Sequence, residues 1–205
     1  MMSDLETAIS VLKNGGVVVF PTETAYAIGC DARDSQAVEK VMAIKGRDCW
    51  KTPPVIAADL KMVEQEVELT DNLHELADQF WPGPLTIVAH IRSSSLVSPL
   101  VLRENTIAIR VSSDEIAREL SKAINAPIVS TSANLCGGPN CYRIEEVQAQ
   151  LGTQLPQPDY FLDGGLREAR PASTIVKEEN GEIVVLRQGS IDICNEQRNR
   201  LDRTG

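Results

Sequence analysis

Apolar residues recur along this chain in two periods. Leu5, Ala8, Ile9 and Leu12 fall at helical spacing and Asn14-Gly15-Gly16 stops them, which predicts a helix over 4–14. The run 17–20 is wholly apolar and reads as a short buried strand. A polar loop, Pro21-Thr22-Glu23-Thr24, leads into mixed apolar structure. Asp34 or Ser35 caps a helix with Val38, Val41, Met42 and Ile44 on one face, ending in Lys45-Gly46-Arg47. Strands follow at 53–58, 85–91, 106–111 and 127–130. Helices are predicted from Asp71 to Phe80, over 113–124 and over 143–151. The segments 173–177 and 182–186 read as a hairpin closed at Glu179-Asn180-Gly181.

Strand–helix alternation is thus mixed with strand–strand neighbours. That order predicts one α/β domain with a mixed sheet. The expected catalytic body is 1–190, followed by a polar tail, 191–205.

Composition narrows the class. The chain has 205 residues and 42% hydrophobic content, enough for one sizeable core. No apolar run approaches the roughly 20 residues of a membrane span, and the N-terminus is acidic where a signal peptide is basic. A cytoplasmic protein with no membrane contact is expected. The five cysteines, with no Cys-x-x-Cys, predict neither a disulfide framework nor a zinc site. Cys49, beside basic residues, reads as a reduced thiol without a catalytic role. The net charge of -9 argues against nucleic-acid binding by the whole surface, but leaves room for a local basic cleft.

The most informative polar run is Ser130-Thr131-Ser132-Ala133-Asn134, at the end of a strand and before a glycine-rich turn. Neutral donors and acceptors there suit phosphate oxygens and ribose hydroxyls, and equally a plain turn. Lys45, Arg47 and Lys51 form the strongest basic cluster, fit either to hold phosphates or to complement a helix C-terminus. Thr22, Glu23 and Thr24 could orient a small polar substrate or a metal, or form a hydrogen-bonded loop. Arg110 lies inside the apolar run 106–111, on the face shared with Thr106 and Ala108, and needs an anionic partner. That partner is a substrate carboxylate or a protein one. Ser173 begins one strand and Arg187 ends the next. With no Gly-x-Ser-x-Gly elbow, no Walker loop and no dinucleotide fingerprint, catalysis by positioning and charge stabilisation is left.

Taken as an ordered set, PTETAYAIGC (21–30), KGR (45–47), WPGPLT (81–86), TIAIRV (106–111), STSAN (130–134), STIV (173–176) and LRQG (186–189) resemble the YrdC-like family of threonylcarbamoyl-AMP synthases. The likeness runs from about residue 5 to residue 190, and its signature joins Lys45-x-Arg47 to Ser132-x-Asn134. It implies a twisted mixed sheet flanked by helices, with a concave basic cleft. It implies a reaction in which L-threonine, bicarbonate and ATP give threonylcarbamoyl-AMP and pyrophosphate, with Mg²⁺ bridging phosphates and no metal held by protein ligands. The product feeds modification of the adenosine next to the tRNA anticodon, completed by partner proteins. A cleft open to tRNA contact is part of the same expectation.

Position by position, the resemblance puts Lys45 and Arg47 in catalysis. Arg47, Lys51, Thr106, Ser132, Asn134, Asn140 and Arg187 fall on the ATP side. Thr24, Ile56, Arg110, Ser130 and Ser173 fall on the threonine side. Asp48 stands where a proline commonly follows Lys-x-Arg, Ala27 where a glycine is usual, and Asn140 and Cys136 where serine is common. A group with the same fold lacks the Lys-x-Arg and Ser-x-Asn pair, which this chain keeps, and related carbamoyltransferase domains belong to much longer chains. The rival readings are an RNA-binding module, which the acidic balance weakens, and an inactive nucleotide-binding relative.

Overall fold

The computed structural model describes residues 3–46, 52–153 and 155–193. Helix α1 (Asp4–Lys13) opens with a reciprocal Ser3–Glu6 cap and buries Ala8 and Leu12. Strand β1 (Val18–Pro21) is buried throughout and returns, across the turn at 22–25, as β2 (Tyr26–Gly29). Then come α2 (Ser35–Lys45), capped by the Asp34 side chain, β3 (Val55–Ala57), α3 (Leu60–Glu66), β4 (Val67–Glu68) and α4 (Asp71–Phe80). Strand β5 (Leu85–Ile91) and a 3-10 turn (Pro99–Val101) lead to β6 (Thr106–Val111) and α5 (Glu115–Ile124). Strands β7 (Ile128–Val129) and β8 (Thr131–Ser132) precede α6 (Ile144–Leu151). Strands β9 (Tyr160–Phe161), β10 (Thr174–Glu179) and β11 (Glu182–Arg187) close the order.

The elements absent from the periodicity have identifiable reasons. All of β2 is buried, so it shows no alternation. Helix α3 is a short segment started by the Asp59 side chain, which accepts from the Met62 N–H at 2.8 Å. The body also runs past its expected limit of 190. The Ile191 carbonyl accepts from Thr174 Oγ1 at 2.7 Å and Ile193 is 1% exposed, because two apolar residues there complete the core. The rest of the expected tail, from 194, lies outside the described residues. No helix among the described residues is long and apolar enough to cross a membrane. Cys30 and Cys141 are free and buried, whereas Cys136 is disulfide-bonded, which the scattered cysteines did not predict.

The strands form two mixed sheets, one of four strands in the order β8-β2-β1-β9 and one of seven that includes β11-β10-β5-β6-β3-β7. One face of the larger sheet carries Leu85, Ile87, Ile107, Ile109, Val55 and Val176 into the main core, against α2 and α4. On the other face the registers Ile175↔Arg187, Ile175↔Thr86 and Ile56↔Arg110, with Ile56↔Ile128, line up one row across the sheet. Side chains in such a row share a face. At one end of the row Ile56 and Ile128 enter a second core with Leu12, Phe20 and Leu120. At the other end Thr86, Arg110 and Arg187 form a polar stretch of the row, in which Thr86 and Arg110 are buried.

The sheets meet where β2 crosses β7. The Val129 N–H donates to the Cys30 carbonyl at 2.8 Å, and a Cβ on Gly29 would fall on the Val129 carbonyl. Gly29→Ala should therefore force the sheets apart and destabilise the protein by about 1–3 kcal/mol, the usual cost of overpacking. The denaturant midpoint measures it; an unchanged midpoint would mean the crossing tolerates a methyl group.

Candidate functional site

Lys45 is the last residue of α2, one turn past Val41 on the buried side, so its stem enters the protein. Its Nζ donates to the Ser132 carbonyl and to the Asn134 carbonyl at 3.0 Å, and lies 3.3 Å from Asn134 Oδ1 and 3.5 Å from Ser132 Oγ. All of these acceptors are neutral. Burial pushes the Lys45 pKa down to about 8. The segment it grips passes between the sheets. The Ser130 N–H donates to the Pro54 carbonyl at 2.9 Å, Ser132 sits opposite Ala27, and Asn134 Nδ2 donates to the Gly138 carbonyl at 2.6 Å. Lys45, Ser130, Ser132 and Asn134 are thus brought together. Arg47 and Lys51, expected beside them, lie outside the described residues, as do Asp48 and Cys49.

A second cluster forms on the polar end of the row. Arg110 pairs through Nη1 with Glu23 Oε1, and Ser112 Oγ donates to Glu23 Oε2. The two charged side chains are 9% and 8% exposed, so this is a buried ion pair. The alternative left open by the sequence is resolved in favour of a protein carboxylate as one partner of Arg110. Its Nε and Nη2 bond no described residue and are not sealed from solvent, so they stay free for a second anion. Arg187 Nη2 donates to the Ser173 carbonyl at 2.7 Å and to Ser173 Oγ at 3.1 Å. Ser173 Oγ in turn meets Thr86 Oγ1 at 2.8 Å. Burial and the neighbouring charge of Arg110 push the Arg187 pKa down. Two guanidinium groups sharing one field favour an anion between them.

Thr24 sits in the turn above this cluster, its Oγ1 3.1 Å from Thr22 Oγ1, and Thr22 donates to the Ala25 carbonyl at 2.6 Å. Three expected residues stand apart. The Ile56 side chain is 0% exposed in the second core, so it offers a ligand no accessible surface. The Thr106 hydroxyl donates to the Arg103 carbonyl at 2.6 Å and closes a surface turn. It lies about 13 Å along β6 from Arg110, at roughly 3.3 Å per residue, a separation only an extended ligand bridges. Asn140 is exposed in the loop before α6.

Other participants escaped the sequence reading. In the sequence Glu23 reads as one of three groups that could orient a small polar ligand, Thr86 only as part of strand 85–91 and of WPGPLT, and Ser112, Asp114 and Arg167 carry no motif signal. The alternation that exposes Arg110 also points to Ser112, the next residue but one. Among the described residues no group of His, Cys, Asp or Glu could hold a metal ion.

The family model Sua5/YciO/YrdC, described as telomere recombination, matches residues 10–189. A threonylcarbamoyl-AMP synthase of Vibrio vulnificus (strain YJ016) is 36% identical over 194 residues, 92% of this chain and 100% of the relative. The crystal structure of P. abyssi Sua5 complexed with L-threonine superposes with a TM-score of 0.85 at 27% identity, covering 97% of this chain. This chain spans 58% of that one. The crystal structure of E. coli YciO superposes with a TM-score of 0.81 at 27% identity, covering 93% of this chain and 91% of its own.

The buried lysine gives a test that assumes no function. Its folded pKa, about 8, lies below the ordinary 10.5, so between those values the unfolded chain binds the extra proton. Lys45 should add stability progressively as pH rises through that window and cost most below it. Subtracting the Lys45→Met stability profile from the wild-type one should leave that rise; a flat difference would place the ammonium in solvent.

Proposed function

The chain belongs to the Sua5/YciO/YrdC family, and on that premise we propose that it forms threonylcarbamoyl-AMP and pyrophosphate from L-threonine, bicarbonate and ATP. The observation that carries this reading is the buried Arg110–Glu23 pair beside Arg187. An α-amino acid is a zwitterion, and this pair sets a fixed cation beside a fixed anion. The free donors of Arg110 suit a carboxylate, held in the two-pronged way that guanidinium allows. Ser173 supplies a hydroxyl beside Arg187 and Thr24 one next to Glu23 in the chain, and Ser130, on the Lys45 side, is the remaining hydroxyl assigned to threonine.

The nucleotide falls to the other cluster. Lys45 holds Ser132 and Asn134 in place, and Arg47 and Lys51 follow it in sequence. Arg187, which bonds Ser173 and lies in the field of Arg110, is assigned to the nucleotide as well. The threonine amine takes up CO₂ derived from bicarbonate, forming a carbamate and releasing a proton. A carbamate oxygen then attacks the α-phosphorus of ATP, the bond to the β-phosphate oxygen breaks, and pyrophosphate leaves with the electron pair. No protein nucleophile enters. The chain's residues hold two anions together and offset the charge that builds in the transition state. Mg²⁺, when bound with ATP, supplies further charge neutralisation. The product serves modification of the adenosine next to the tRNA anticodon, with partner proteins completing the transfer, in a cytoplasmic setting.

Pyrophosphate release should require ATP, threonine and bicarbonate together and should not require RNA. Release without threonine would point to another nucleotidyl transfer. Arg110→Lys keeps charge but loses the fork. It should raise the threonine KM at least tenfold, about 1.4 kcal/mol, with a much smaller change for ATP. If Arg110 served only its ion pair with Glu23, thermal stability would fall while both KM values held.

A further inference from the structure

Strand β9 and strand β10 are joined by an irregular strap, and its anchors converge on the Glu23 turn. The Gly164 N–H donates to Tyr26 Oη at 2.9 Å, and Tyr26 Oη lies 3.0 Å from Asp163 Oδ1 and 2.9 Å from the Gly165 carbonyl. Burial raises the Tyr26 pKa to about 12, so the phenol stays a neutral anchor. A Cβ on Gly164 would strike the Pro21 ring, so the strap lies directly on the segment that leads to Glu23.

Arg167 is the charged residue of this strap that reaches inward. Its N–H donates to the Tyr142 carbonyl at 2.8 Å, its Nη2 to the Gly164 carbonyl, and its Nη1 to Asp114 Oδ2 at 2.8 Å. Asp114 is 9% exposed at its side chain and caps α5, accepting from the Ile116 N–H at 3.0 Å. Its own N–H donates to Ser112 Oγ at 3.2 Å, the same hydroxyl that donates to Glu23. Burial, and more weakly the Glu23 charge, raise the Asp114 pKa. The charges therefore run plus, minus, minus, plus along one line, Arg167, Asp114, Glu23, Arg110, with two carboxylates adjacent at its centre. Arg167 Nε is buried with no partner, a cost that a segment selected for packing alone would shed.

We infer that Arg167 is a positioning residue for the amino-acid pocket. By neutralising Asp114 it lets Glu23 face Arg110 and Ser112 without a competing carboxylate charge behind it. The inference rests on the proposal that Arg110 receives the threonine carboxylate. Without Arg167, the like charges of Asp114 and Glu23 repel, Glu23 shifts, and Arg110 loses its orientation. Among the described residues, no side-chain bond of Lys45 reaches Arg167, Asp114, Ser112 or Glu23.

Steady-state kinetics on the full chain, with threonine and ATP varied separately, tests this. Arg167→Met should raise the threonine KM about fivefold or more, within the range of coupled neighbours, and change the ATP KM less than about twofold. Arg167→Lys should fall between it and wild type. The deciding variant is Arg167→Met combined with Asp114→Asn, because Asn still caps α5 but carries no charge. It should recover most of the lost threonine affinity. An unchanged threonine KM in Arg167→Met, parallel rises in both KM values with a lower melting temperature, or a double variant no better than the single one would each overturn the role. If Arg110→Lys also leaves the threonine KM unchanged, the pocket assignment fails; if only the Arg167 variants do, the positioning role alone fails.

Discussion

The buried ion pair between Arg110 and Glu23 is the constraint around which the molecule is arranged. Glu23 belongs to the turn between β1 and β2 of the smaller sheet, and Arg110 to β6 of the larger one. Neither charge could be buried alone, since an unpaired buried ion costs several kcal/mol. The pair therefore fixes the distance and angle between the two sheets on the side away from the Gly29 crossing. Replacing it with apolar residues of similar volume could leave a stable fold. It would also remove the adjacent plus and minus charges on which the proposed recognition of an amino acid rests.

Lys45 solves a different problem. Its ammonium is buried among carbonyl, amide and hydroxyl oxygens, with no carboxylate among the acceptors it bonds. Neutral dipoles can hold a cation in place without cancelling its charge. A carboxylate in that position would have tied the lysine down and left nothing for a phosphate. The result is a site with positive potential in a chain whose net charge is -9. Overall charge and local field thus point opposite ways, and low-dielectric walls focus the local one.

The alternating register made part of the site legible in sequence. A lone Arg in TIAIRV must face away from Ile109 and Val111, and it does, in a row with Thr86 and Ile56. Its partner was not legible, because Glu23 is 87 residues away and only the meeting of two sheets makes them neighbours. The link from Lys45 to Ser132, also 87 residues long, was accessible only through the pairing of Lys-x-Arg with Ser-x-Asn as a signature. Ile56 and Thr106 show the converse limit. A matching position in an ordered motif fixes the place of the backbone, yet the Ile56 side chain belongs to the core and the Thr106 hydroxyl to a turn. Elements with strong periodicity, such as α4 and α5, were legible. Strand β7 falls within the strand read at 127–130, whereas the two-residue strands β8 and β9 are made by their neighbours and have no signal of their own.

The chemistry available follows from what is absent near the clusters as much as from what is present. The buried thiol of Cys141 lies near Lys45, but burial raises its pKa to about 11, and burial raises that of Cys30 further. Neither is a thiolate at neutral pH, so neither is an activated nucleophile. The hydroxyls of Thr22, Thr86 and Ser173 are bonded to protein groups, and none of these bonds is to a histidine that could take a proton. What the clusters do offer is a set of fixed cations and dipoles whose orientations are settled before any ligand arrives. Two anions brought against such a set lose mutual repulsion and gain proximity at once. A reaction between a carboxylate-bearing amine and a nucleotide needs those two things most, and the pre-set geometry supplies them without a covalent step.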